Sequence, residues 1–384
     1  MEPLAVAALV AVLVCLASVF AVEWTLSVAI VEIIAGVLAG NLFGIRGAPW
    51  LDFLAQFGGV LLTLLAGAEV DPGLLKSKLR PSLVLGGASF LLPFLASTAF
   101  ALYVAHWTTK ASLIAGVALS TTSLAVVYAV LVETGLNATE VGKLLMAATF
   151  VTDIGTALAL SLLFVQFSWT TAVFFAASAV IIVLAPRVLP PVFERYGARV
   201  IEPEIKLLFA ILFGFMLLAS LGKSHAVLPV FVLGLVLGPM FHRHRELQRK
   251  LRIVAFGAIT PFFFLKGGMS VSLGALGPQF GLVMGFLAVK LAAKGVGVFP
   301  LARRHVPGAA AFTTLLMSTG LTFGTISSLY GLQAGIIDRV QFSMLLAVVI
   351  GSAVVPTVVA QRWFTPRLSP AEQEEVLARE EESM

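Results

Sequence analysis

Apolar residues along this chain gather into thirteen runs, 4–22, 26–44, 53–71, 82–103, 111–132, 143–165, 171–190, 205–221, 224–240, 253–271, 279–299, 308–330 and 340–360. Each is long enough for a helix to cross a bilayer, which takes roughly 17–25 predominantly apolar residues. The pattern predicts an all-α polytopic membrane protein with thirteen transmembrane helices joined by short polar connections. The first run has no basic segment before it, and Glu23-Trp24-Thr25 lacks the small residues of a cleavage site, so it reads as a helix and not as a signal peptide.

Two runs carry polar interruptions at their centres. The fifth holds Ser120-Thr121-Thr122-Ser123, consecutive hydroxyls whose side chains compete with helical backbone bonds. The twelfth holds Ser318-Thr319-Gly320-Leu321-Thr322-Phe323-Gly324, with two glycines among hydroxyls at a comparable depth. Unwound backbone at membrane depth is tolerated only where it is buried in protein or lines a cavity. Runs four to six and eleven to thirteen thus form triplets with an interrupted middle helix, and the alternation of spans starts them on opposite sides of the membrane. That is the arrangement of an inverted repeat, in which two crossed discontinuous helices place dipole ends and free carbonyls around an ion at the midplane.

Charge supports the span count. Only 12% of residues are charged against 59% hydrophobic, which excludes a soluble protein, where about a quarter are charged. Eighteen Lys and Arg lie in the connections after odd-numbered runs, at the run ends that flank them, or in the C-terminal tail, and four (Arg46, Lys110, Lys223, Arg339) after even-numbered ones. Cytoplasmic loops carry the positive excess, so the N-terminus is expected outside and the C-terminus inside, and the net charge of +5 needs no nucleic acid to explain it. One cysteine, Cys15, and five scattered histidines offer neither a disulfide framework nor ligand spacing for a resident metal. The stretch from 361 to 384 reads as a short acidic cytoplasmic tail.

Against this background the ionisable residues inside runs stand out. Asp153 lies about halfway along 143–165, where a charge costs about 3 kcal/mol on insertion scales, so its presence marks an ion or proton path. Lys290 and Lys294 lie four apart, on one face of one helix; Lys294 is the deeper and the better partner for a buried acid, with Lys290 the second choice. Glu32 either lines a cavity or caps broken backbone, whereas Glu69, Asp71 and Lys266 sit near run ends, where long side chains reach the interface.

These motifs, in this order, resemble those of the monovalent cation/proton antiporters of the bacterial sodium/proton and potassium/proton exchanger type, over residues 1–362. Val31-Glu32-Ile33-Ile34-Ala35-Gly36 with Gly40 is similar to that family's first glycine-rich helix, and Ala66-Gly67-Ala68-Glu69-Val70-Asp71 to the end of the next. Ser120–Val127 resembles the broken-helix stretch, Thr152-Asp153 the ion-binding pair, Pro261-Phe262-Phe263-Phe264 a later helix, and Lys294 the buried lysine. The resemblance implies a core of 82–165 and 279–360, a scaffold from the first three helices within 1–103 and from 205–271, a linker helix at 171–190, a homodimer in the inner membrane, and elevator-like movement of the core, without a cofactor. It also implies ion binding by Asp153, Thr152, Ser120, Thr121, Thr122 and Ser123, with Lys294, or less favourably Lys290, as charge partner and Glu32, Lys266, Gly320 and Gly324 in cavity-lining or structural places.

The departure is Thr152, where electrogenic members carry a second aspartate. One carboxylate holds either one proton or one monovalent cation, which predicts electroneutral exchange for H+, with sodium ahead of potassium and lithium a further candidate. Two other readings fit a polytopic helical chain. A sodium-coupled organic-anion symporter of bile-acid type also uses crossed broken helices but relies on Asn and Gln, and this chain has only Asn41 and Asn137, near run ends. An integral-membrane transferase needs a diphosphate-binding acidic motif or a His facing an acid, and the sequence contains neither.

Overall fold

The computed structural model describes residues 3–23, 27–45, 48–69, 73, 78–137, 139–164, 168–197, 199, 201–222 and 226–366. Asp71, His225, the loop lysines 76 and 223, Arg46 and the acidic tail beyond Pro366 lie outside them. In chain order the described helices of eight or more residues are α1 (Pro3–Glu23), α2 (Val28–Asn41), α3 (Pro49–Ala68), α4 (Leu79–Tyr103), α5 (Thr109–Ser120), α6 (Leu124–Glu133), α7 (Glu140–Phe164) and α8 (Trp169–Tyr196). They continue as α9 (Pro203–Leu221), α10 (Val227–Arg243), α11 (Arg245–Val254), α12 (Thr260–Met269), α13 (Phe280–His305), α14 (Ala310–Met317), α15 (Thr322–Gln333) and α16 (Arg339–Trp363). No strand occurs among the described residues.

Among the described residues, eleven helical stretches are long and apolar enough to cross a membrane, and two of them, Thr109–Leu131 and Pro307–Gln333, run through a break. The runs expected at 26–44 and 224–240 appear instead as shorter apolar helices, Val28–Asn41 and Val227–Phe241. A local reason ends α2. The Asn41 amide donates to the carbonyls of Val37 (2.8 Å) and Val271 (2.9 Å), and its oxygen accepts from the Leu273 N–H (3.0 Å). Three backbone groups are thereby satisfied by one side chain where the helix stops.

The chain divides into two compact units, with the boundary inside α7 after Thr156. The first comprises residues 1–72 and 157–273. Its core gathers Phe57, Leu61, Phe174, Leu212, Phe215 and Leu233. Lipid tails are as apolar as leucine, so helices in hydrocarbon associate through close packing, and small residues mark where they do. Gly36 and Gly40 of α2 lie against the backbone of Leu265 and Met269 of α12, while Gly67 and Gly234 join α3 to α10 in the same way. A π-helical turn, Ala255–Ile259, precedes Pro261, whose missing N–H forces the backbone ladder to rephase there. Lys266 pairs with Asp52 (2.5 Å), Arg252 with Glu69 (3.3 Å) and Lys250 with Glu202 (2.8 Å).

The second unit comprises residues 73–156 and 274–384. Leu85, Val127, Leu131, Leu145, Val298, Phe312 and Leu316 form its apolar core, and Phe286 packs between Phe100 and Trp107, with ring centroids 4.8 and 5.2 Å away. Helix starts are fixed by side chains. Thr108 accepts from the Ala111 N–H at the head of α5 (3.3 Å), and Asp338 and Gln341 form a reciprocal capping box at the head of α16. These caps anchor the outer ends of helices whose inner residues meet at the two breaks.

Candidate functional site

Helix α5 stops at Ser120 and α6 starts at Leu124, with Thr121 in an extended conformation (φ −64°, ψ 155°). Likewise α14 stops at Met317 and α15 starts at Thr322. Each break exposes carbonyls at one half-helix end and N–H groups at the next, and buried backbone groups must find partners. The two breaks find them in each other. The Ser123 N–H donates to the Thr319 carbonyl (3.1 Å), and the Thr122 hydroxyl donates to the Met317 carbonyl (2.9 Å).

Lys294 of α13 completes the crossing. Its ammonium donates to Ser89 Oγ of α4 (2.7 Å), to the Ser120 carbonyl (2.9 Å) and to Thr122 Oγ1 (3.1 Å), so three N–H groups meet three oxygens in a fully buried site. The Ser120 carbonyl belongs to the C-terminal end of α5, the negative end of that half-helix, which favours a cation. Thr122 therefore links three elements: it accepts from Lys294 and donates to the second break. One turn earlier on α13, Lys290 is equally buried and donates to Ser352 Oγ of α16 (2.8 Å).

Asp153 lies on α7, thirteen residues after Glu140, or about 20 Å along the helix axis. Its exposure is 2%, and its charge acts on Lys294 together with that of Lys290. On the same helix the Thr152 hydroxyl donates to the Thr149 carbonyl (2.7 Å), and the Thr149 hydroxyl lies 3.7 Å from Met317 Sδ at the second break. Asp153, Thr152, the segment 120–123, both lysines and both glycines of the second break thus belong to one unit. Glu32, 2% exposed, and Lys266 belong to the other, and Lys266 is held by Asp52.

The hydroxyl geometry has a chemical consequence. Ser120, Thr121 and Thr152 direct their protons to carbonyls of their own helices, at 2.9, 3.2 and 2.7 Å. Their oxygens therefore keep lone pairs, the atoms a dehydrated alkali cation needs. Ser123 Oγ is fully buried and has no hydrogen-bond partner among the described residues.

Gly320 is small because the second break is crowded. A Cβ there would lie 2.6 Å from Lys290 Nζ, 2.6 Å from Thr121 Oγ1 and 2.9 Å from the Thr121 carbonyl oxygen. The lysine head can move aside, but the backbone of the first break cannot. Gly320→Ala is expected to cost about 1–3 kcal/mol in stability as an overpacked core position. Thermal unfolding in detergent checks this. Gly324 plays a milder part, with a Cβ there 3.0 Å from the Ala118 carbonyl.

Ser89 and Ser352 escaped sequence reading. Each is an isolated serine in an apolar helix, and its one signal was polarity inside a span.

Residues 5–365 match the family described as sodium/hydrogen exchanger, transmembrane. A probable Na(+)/H(+) antiporter 3 of Methanocaldococcus jannaschii is 28% identical over 254 residues, 62% of this chain and 64% of that protein's length. The Na(+)/H(+) antiporter NhaS4 of Synechocystis is 26% identical over 362 residues, 84% of this chain and 88% of that protein. Among solved structures, the sodium proton antiporter MjNhaP1 of M. jannaschii at pH 8 superimposes with a TM-score of 0.69 at 14% identity, covering 96% of this chain and 100% of the other, and so shares its fold. A match over nearly the whole length, on a polytopic helical chain, decides against both the symporter and the transferase readings: the chain belongs to the sodium/hydrogen exchanger family, whose members are transporters and not enzymes.

Proposed function

We propose that the chain exchanges a monovalent cation, sodium in preference to potassium or lithium, for H+ across the cell's inner membrane, one for one and without moving net charge. One observation carries the reading: a buried carboxylate, Asp153, shares a unit with two helix breaks, the first of which keeps hydroxyl lone pairs at Ser120 and Thr121, and with a fully coordinated Lys294. Asp153 binds a proton or the cation in turn. When the cation is bound, Thr152 and oxygens from Ser120 to Ser123 replace part of its hydration shell. Lys294 holds the crossing together, and its positive charge offsets that of the carboxylate.

In this reading the unit of residues 73–156 and 274–384 is the transport domain, built as two inverted repeats. The unit of residues 1–72 and 157–273 is the scaffold and pairs with a second copy as a homodimer. With the two shorter apolar helices counted as spans, this reading has thirteen, and the loop charges support an N-terminus outside and a C-terminus in the cytoplasm. Transport proceeds by elevator-like movement of the transport domain. The test is proton flux in proteoliposomes, read with a pH-sensitive dye on adding sodium, potassium or lithium, with and without a clamped potential. Sodium-driven flux indifferent to potential is the expected result. Flux that follows the potential would overturn one-for-one exchange, and silence toward all three cations would overturn the cation reading.

A further inference from the structure

Lys290 is a buried lysine that the exchange cycle above does not use. It is fully buried on the same face of α13 as Lys294, one turn away. Its head is placed by two elements: Ser352 of α16 accepts its hydrogen bond at 2.8 Å, and the missing Cβ of Gly320 leaves the space that Nζ occupies, 2.6 Å from where that carbon would stand. Ser352 spends its own proton on the Val349 carbonyl (2.9 Å), so its oxygen is oriented to receive a donor or a cation. Thr121 Oγ1 lies as close to the same vacant position at 320. The two breaks are therefore each served by one lysine: Lys294 at the carbonyl end of α5, and Lys290 beside Gly320 where α14 has ended. Carbonyl ends of half-helices at membrane depth are the places where transporters of this architecture hold cations.

We infer that Lys290 is a specificity-determining residue of the transport site: its amino head is a tethered substitute for a cation at the second break, which limits the crossing to one exchangeable cation and sets how tightly that cation binds. The inference rests on Asp153 being the ion-binding acid. Among the described residues of this unit the buried charged side chains are Asp153, Lys290 and Lys294, and Tyr330 of α15 is a further buried titratable group. Lys294 is saturated by three oxygens on α4 and α5–α6, so Lys290 is the charge that can be removed without stripping partners from the first break. A positive charge near a cation site opposes the cation, and at the effective dielectric of a protein interior one such charge roughly 10 Å away is worth on the order of tenfold in affinity.

The experiment is radiolabelled sodium binding to the purified full-length protein, wild type, Lys290→Gln and Lys290→Met, with proton flux on the same preparations. Wild type is expected to bind a single sodium ion per chain. In the variants the half-saturating sodium concentration is expected to fall by about tenfold, with the maximal rate falling because the ion is released more slowly. A purely structural lysine predicts a different split: lower maximal rate with half-saturation unchanged or weaker, and that result overturns the inference. Should the variants fail to fold, wild-type stoichiometry still decides, because two sodium ions per chain are incompatible with a lysine that fills the second place. Asp153→Asn run alongside separates the layers. Sodium binding that survives in it removes the Asp153 reading itself, whereas loss in Asp153→Asn with unchanged half-saturation in both Lys290 variants removes only the role given to Lys290.

Discussion

Proteoliposomes bearing Asp153→Asn are expected to show no cation-driven proton flux above empty vesicles, a loss on the order of 100-fold or more, the size seen when an interaction required at every turnover is deleted. The same protein is expected to remain folded, with a smaller fall in thermal midpoint than Lys294→Met, because the lysine left behind keeps its three oxygen partners. The two halves of that expectation come from one geometry. Asparagine keeps the shape of the side chain and is cheaper to bury than a carboxylate, so the packing of α7 is undisturbed. It can neither carry an exchangeable proton nor neutralise a cation, and both functions are assigned to this position. Lys294 does not lose its place, because Ser89, the Ser120 carbonyl and Thr122 still receive its three N–H groups. Exchange retained by Asp153→Asn would move the ion site to another residue.

The membrane is the reason so much of the candidate site is legible in the sequence. In a chain that is 59% hydrophobic, each buried charge is an exception with a cost, so Asp153, Lys290 and Lys294 stood out without any alignment. The hydroxyl run at 120–123 and the glycine–hydroxyl run at 318–324 announced broken helices for the same reason, and the backbone stops being helical inside both. What sequence could not supply was pairing across the chain. Lys290 and Lys294 share a helix face, and spacing cannot say which addresses which break; that depends on Ser89, 205 residues from Lys294, and Ser352, 62 residues from Lys290. Nor could it say that Thr122 donates to Met317 while accepting from Lys294. Helix ends were the other weak point: apolarity runs on past 41, but Asn41 ends α2 through bonds to Val271 and Leu273, which no local pattern encodes.

Lys294→Met should be strongly destabilising, and its cost should be partly reversible by a second substitution. Methionine fills a similar volume but leaves Ser89 Oγ, the Ser120 carbonyl and Thr122 Oγ1 without their shared donor, in a place with 0% exposure of the lysine they served. It also leaves Asp153 without the positive charge on which its own charge acts. Removing one partner of a buried pair costs about 3–5 kcal/mol, mainly because the remaining charge is uncompensated. A fall in the thermal midpoint on the order of 5–10 °C is the corresponding expectation. Adding Asp153→Asn removes the uncompensated charge but does not restore a donor to the three oxygens. The double variant should therefore recover about 1–3 kcal/mol of the loss and no more. Unfolding of wild type, both single variants and the double variant in one detergent measures that coupling directly. Strict additivity would mean that Asp153 and Lys294 do not compensate one another, and the charge balance between them assumed for one-for-one exchange would lose its physical basis.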